Sequence, residues 1–169
     1  MSEEVTRSVL HFRYELIDGP IPGPAREPLW LLYASIFTDK TSGNFWPEID
    51  EQAARDLLTL LAWADDELVG FKMGYMRKPG HFYSWLGGVR ADFRGHGIAS
   101  ELMRRQHDWC QQNGFRAVRT HTRNQWRDML ILNLRHGFDI IGTFLNEEGT
   151  VNIMLEKQFS RPDSAVIGP

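Results

Sequence analysis

Residues 8–17 alternate in character: Leu10, Phe12, Tyr14 and Leu16 share one parity, while Val9, His11, Arg13 and Glu15 take the other. A period of two predicts a half-buried strand. Residues 18–28 hold four prolines and two glycines and read as a loop, because each proline fixes φ and removes a donor. Leu29 to Phe37 predicts a buried helix, and residues 38–48 a second loop. Asp50 to Leu61 places Ala53, Ala54, Leu57, Leu58 and Leu61 at helical spacing, which predicts an amphipathic helix. The period then changes. Residues 60–64, the turn Asp65-Asp66 and residues 67–76 predict a hairpin; Pro79-Gly80 is the next turn, and 81–89 is an apolar strand ending in Gly87-Gly88-Val89. From Gly97 to Gln112, Ile98, Leu102, Arg105 and Trp109 form one stripe, with Met103 and Cys110 beside it. Asn113-Gly114 stops that helix, since glycine accepts a positive φ. A strand at 117–122, a helix at about 126–136 closed by His136-Gly137, and strands at 139–144 and 151–157 complete the pattern. The order predicts one α/β (α+β) domain over residues 1–159, with 160–169 as a flexible tail.

Composition narrows the function classes. A length of 169 residues suits one domain, and 42% apolar with 24% charged residues excludes disorder for the bulk of the chain. The longest apolar run, Leu29–Phe37, is too short to cross a bilayer, and the acidic start lacks a secretory pattern, so a cytoplasmic location is expected. The single cysteine, Cys110, excludes a disulfide framework and most cysteine-based zinc sites. A net charge of -3 argues against a general nucleic-acid binder.

One loop carries chemistry. Residues 87–105, GGVRADFRGHGIASELMRR, place a strand end, a turn with Arg94-Gly95-His96-Gly97, and a helix. The leading N–H groups of a helix have no intrahelical acceptor and sit at the positive end of its dipole. A phosphate accepts those hydrogen bonds where no side chain stands in the way. Gly95, Gly97 and Ala99 leave that room, and Arg90 and Arg94 add positive charge. A P-loop needs Lys then Ser or Thr after its glycines, which this loop lacks. A Rossmann fingerprint needs a third small residue, where Ser100 stands, and an acidic residue about 20 positions on, where the strand 116–122 has none.

The pattern Arg94-x-x-Gly97-x-Ala99 resembles the pyrophosphate loop of the GNAT superfamily, the CoA-dependent N-acetyltransferases. Asn124, Met129-Leu130, Asn133 and Gly137-Phe138 resemble that family's fourth-helix segment. The resemblance runs from about Glu67 to Lys157. It implies a mixed, mainly antiparallel sheet splayed at its central strands near Val89, with helices on both faces. It implies acetyl-CoA as cosubstrate and no metal, with Gly88, Val89, Arg94, Gly95, His96, Gly97, Ile98, Ala99, Asn124 and Asn133 holding the coenzyme. Transfer to a primary amine of a small molecule or peptide, by direct attack in a ternary complex, follows from the family. A CoA-binding sensor without turnover is the alternative. Departures lie at Asn133, often Tyr in the family, at Trp126, often Asn, and at Tyr83, where some members carry a catalytic glutamate.

Asn133 and Tyr83 are therefore the catalytic candidates, Asn133 as a hydrogen-bond donor to the thiol sulfur. Strand alternation puts Tyr83, Trp85 and Gly87 on one face. His121 has the intrinsic pKa of a general base, against the competing reading of a hydrogen-bonded structural histidine, and a water chain is the equal alternative for the base. Asp39 and Glu48 are candidates to attract the ammonium, with Phe37, Phe45 and Trp46 covering its apolar body. Cys110 reads as a small core residue and His107 as surface. No nucleic-acid or membrane partner is expected, and the final strands are a candidate homodimer surface.

Overall fold

A computed structural model describes residues 10–37 and 44–159. Asp39, the first residues of the opening strand pattern and the 160–169 tail lie outside the described residues. Among the described residues seven strands form one sheet: β1 (Phe12–Asp18), β2 (Leu58–Ala64), β3 (Glu67–Lys78), β4 (His81–Val89), β5 (Ala117–Arg123), β6 (Asp139–Leu145) and β7 (Val151–Gln158). Their spatial order is β1-β2-β3-β4-β5-β7-β6. Among the described residues only β4 and β5 run parallel; every other pair is antiparallel. The four α-helices among the described residues are α1 (Gly23–Ile36), α2 (Phe45–Gln52), α3 (Ile98–Gln112) and α4 (Arg127–Arg135).

Two cores flank the sheet. On one face Leu29, Leu32 and Tyr33 of α1 and Phe45 and Ile49 of α2 pack on Leu61, Phe71 and Met73. On the other, Ile98, Leu102, Met103 and Cys110 of α3, with Leu130 and Leu132 of α4, pack on Leu60, Val69, Val118 and Leu155. The mixed sheet with helices on both faces is the architecture the sequence predicts.

Four local expectations fail, and one is that residues 45–48, read as loop, open α2. Residues 23–28 are the opening of α1 rather than loop. Pro24 stands in the first turn, where its missing N–H has no partner to lose, and Pro28 forfeits one bond near the same end. The helix expected over Asp50–Leu61 ends at Gln52, and Leu58–Ala64 is strand β2, buried on both faces. A short, continuously apolar segment does not distinguish strand from helix by period. Along α3 the buried stripe holds Gln106 and His107 in place of Arg105, and His107 is 3% exposed rather than on the surface. Arg105 instead pairs with Glu101 and lies over the Tyr14 ring at 4.6 Å.

Candidate active site

β4 and β5 pair only over His81↔Ala117, Phe82↔Val118 and Tyr83↔Arg119. Thr120 Oγ1 adds one hydrogen bond to the Ser84 carbonyl at 2.9 Å. Beyond it the strands part, and the β5-facing main-chain edge of Trp85–Val89 has no strand partner. The cause lies in β4 itself. Its register against β3 shifts between Met73↔Leu86 and Gly74↔Ser84, so Trp85 is an extra, bulged residue that turns the strand.

That bulge corrects the expected parity. Tyr83 and Trp85 do share the α1 face, both meeting Tyr75. Gly87 lands on the opposite face, where a Cβ would lie 3.5 Å from Lys72 Cγ. Gly88 turns to α1, and a Cβ there would lie 2.9 Å from Ile36 Cδ1. The bare Gly88 thus allows the end of α1 to close on the splayed strand.

The splayed edge leads to the turn before α3. After a 3₁₀ turn at Ala91–Phe93, Gly95 and Gly97 take φ of 81° and 78°. This left-handed region costs other residues roughly 1–2 kcal/mol. The space where a Cβ would stand on either glycine is empty within 4 Å. The Gly97 carbonyl accepts from Glu101 N–H at 3.0 Å, so the amides ahead of Glu101 form the open first turn of α3. Arg94 is exposed, and its Nε donates to the Val89 carbonyl at 3.2 Å. His96 is exposed with Nδ1 3.1 Å from the Phe93 carbonyl. Ile98 is buried and Ala99 half-buried, so they seat the first turn of the helix. A diphosphate fits this cradle: open amides, bare glycines and one guanidinium.

Across the splay, Asn124 is exposed in the turn between β5 and α4. Asn133 is 2% exposed, and its carbonyl accepts from the His136 and Phe138 amides at the end of α4. Ser100 meets His136 Nε2 at 2.7 Å and ties α3 to α4. Phe37 and Trp126 meet edge to face at 6.4 Å, joining the end of α1 to the start of α4.

Tyr83 Oη lies 3.2 Å from His121 Nδ1 across the start of the splay. Burial, with the neighbouring Tyr75, pushes the Tyr83 phenol up to about 12, so it keeps its proton. Burial and the charges of Arg119 and Arg77 hold the His121 imidazolium below its ordinary 6.5. At neutral pH the pair is a phenol beside a neutral imidazole. Glu48 is exposed on α2, whereas Phe45 is a core residue against Trp30 and Tyr33 and does not cover an acceptor. Trp46 is taken up by the Arg26 guanidinium, 4.2 Å from its ring. Sequence reasoning does not find Tyr75, Ser100 or His136, whose proximity to the site is tertiary. Among the described residues no group of His, Cys, Asp and Glu is arranged to hold a metal ion.

Lys72 is a second group the sequence conceals. It is buried beneath Gly87, and desolvation lowers its pKa from 10.5 to about 8. The unfolded chain holds that proton up to about 10.5, so between these values it binds more protons than the folded one, and stability rises with pH. At pH 7 the buried ammonium costs about 3 kcal/mol. Lys72→Met is therefore expected to stabilise the chain by about 2–3 kcal/mol at pH 7 and far less at pH 10.5, read by urea unfolding.

Comparison with known proteins agrees with this geometry. A family model described as the acetyltransferase (GNAT) family matches residues 26–138. A search of curated proteins gives no match. Among solved structures, the ribosomal-protein-S18-alanine N-acetyltransferase from Escherichia coli is similar at 11% identity and a TM-score of 0.75, over 92% of this chain and 100% of that one. Aminoglycoside 6'-acetyltransferase type Ii is similar at 18% identity and a TM-score of 0.75, over 88% and 99%. Arabidopsis thaliana Naa50, in complex with the bisubstrate analogue CoA-Ac-MVNAL, is similar at 23% identity and a TM-score of 0.68, over 86% and 99%. A family match over more than half of its length, on a sheet that parts beside a left-handed glycine turn, makes this chain a member of the acetyltransferase (GNAT) family.

Proposed function

We propose that the chain transfers an acetyl group from acetyl-CoA to a primary amine in a ternary complex. The observation that supports this most is the continuity of the site: an open main-chain edge runs from the glycine turn at Gly95–Gly97 along Val89–Trp85 to the Tyr83–His121 pair. The amides at the mouth of α3 and Arg94 hold the diphosphate. Acetyl-CoA supplies the thioester. The unpaired amides of β4 lie alongside it, where an N–H stabilises the developing oxyanion. The amine arrives as an ammonium with a pKa near 10.4 and must lose a proton before it attacks. Tyr83 Oη takes that proton while passing its own to His121 Nδ1. Asn133 donates to the departing sulfur, whose thiolate needs little help from an acid.

The Tyr83–His121 pair weighs against a sensor, which needs no proton acceptor at the splay. Gly97→Ala is expected to weaken CoA binding about tenfold, because Ala resists the left-handed φ of 78°. Calorimetric titration with CoA measures this, and far-ultraviolet circular dichroism checks that the fold persists. Unchanged affinity removes the loop from the coenzyme site. Thiol release from acetyl-CoA on addition of amines tests turnover directly.

A further inference from the structure

Five rings run in a row over the α1 face of the sheet and out beyond its helices. Trp85 meets Tyr75 at 5.5 Å between centroids, Tyr75 meets Tyr83 at 5.6 Å, Tyr83 meets His121 at 5.2 Å, and His121 meets Phe144 at 5.1 Å. Successive planes cross at 62° to 76°, so every pair is edge to face. The residues come from four strands, β3, β4, β5 and β6, and the sequence separates them by up to 69 positions (Tyr75 to Phe144). No helix core claims the far end: His121 is exposed and Phe144 is 39% exposed. The proton-accepting pair stands in the middle of the row.

The charges that act on the ionisable rings of the row are mostly guanidinium groups. Arg119 and Arg77 act on His121, and Arg55 outweighs Glu51 at Tyr75. Glu156, the nearest carboxylate to Arg119, is already bound by its Nε and Nη2 at 2.9 and 2.7 Å. A polyamine or aminoglycoside would bring several ammonium groups to a surface that offers guanidinium neighbours. One ammonium over ring faces is held by cation–π attraction, and an aryl body extends the edge-to-face row.

We infer that the acceptor of this site is a small primary monoamine carrying an aromatic ring, its amine at Tyr83–His121 and its ring against Phe144 at the exposed end of the row. The inference rests on the transferase reading above and adds the class of its acceptor.

The test uses the full chain with acetyl-CoA and compares phenethylamine and tryptamine with hexylamine, spermidine, kanamycin and a tetrapeptide with a free alanine N-terminus. Thiol release gives kcat/KM, and calorimetry on the CoA-loaded chain gives acceptor binding. The expected result is an advantage of at least about tenfold for the two aryl amines. Phe144→Ala and Phe144→Ser are each expected to raise KM for aryl amines about fivefold or more, leave KM for hexylamine within about twofold, and leave CoA affinity unchanged. Preference for spermidine, kanamycin or the peptide overturns the inference. So does an aryl preference that survives in both variants, or a chain that binds CoA yet neither binds nor acetylates an aryl amine. Failure to bind CoA at all strikes the transferase reading instead.

Discussion

Between pH 6.5 and about 4.5, His107 alone is expected to remove about 1.4 kcal/mol of unfolding free energy per pH unit. The ring is packed between α3, the end of α4 and β7, with Phe138 and Phe159 at 5.4 and 5.7 Å. Lys157 Nζ lies 3.2 Å from Nδ1. Lysine has only donors, so Nδ1 accepts and the single ring proton is on Nε2, which has no partner. Protonating Nδ1 would bury a second cation against the first. Desolvation, then the charges of Lys157, Lys72 and His136, lower the pKa from 6.5 to about 3. The unfolded chain takes up the proton near 6.5 and the folded chain only near 3, so stability falls as pH drops between them. Against a total of about 5–15 kcal/mol, two pH units are a large loss. His107→Gln keeps an acceptor for Lys157 and cannot titrate. Urea unfolding at pH 6.5, 5.5 and 4.5 is expected to give a shallower decline in the variant than in the parent. Parallel declines would show that His107 is not the group responsible. His81, His121 and His136 are also lowered and add to the residual slope in the same direction.

The His107 position also shows where the sequence stops being informative. Its burial follows from α4 and β7 folding over α3, and the spacing within α3 carries no trace of either. The glycine turn was legible because its requirement is local: φ values of 81° and 78° need glycine whatever surrounds them. β4 was legible because Pro79-Gly80 precedes it and an apolar run fills it. α3 was legible through its stop at Asn113-Gly114. By contrast, the extra residue at Trp85 exists only relative to the register of β3, so alternation counted along β4 placed Gly87 on the wrong face. The opening of α1 was missed where prolines usually mark loops, and the start of β2 at Leu58 and Thr59 because burial on both faces erases its period. The ring row depends on four strands brought side by side, which no local pattern records.

His121→Ala is expected to lower kcat by about 10²–10⁴ while leaving CoA affinity unchanged. A Tyr83 phenol with a pKa near 12 cannot absorb the ammonium proton unless a partner takes its own, and in the proposed mechanism that partner is His121 Nδ1 at 3.2 Å. Tyr83→Phe breaks the same path at its first step. In the proposed mechanism the two act as one relay, so the double variant is expected to lose no more than the worse single one. Independent structural effects would multiply instead. The pH profile separates the roles further. The active imidazole is the neutral form, and burial with Arg119 and Arg77 places its titration below 6.5, so kcat is expected to hold at neutral pH and fall only on the acid side of that value. In His121→Ala that acid limb disappears along with the rate. A kcat within threefold of the parent, or losses that multiply in the double variant, would remove the pair from the chemistry and leave Tyr83 as one more ring in the wall.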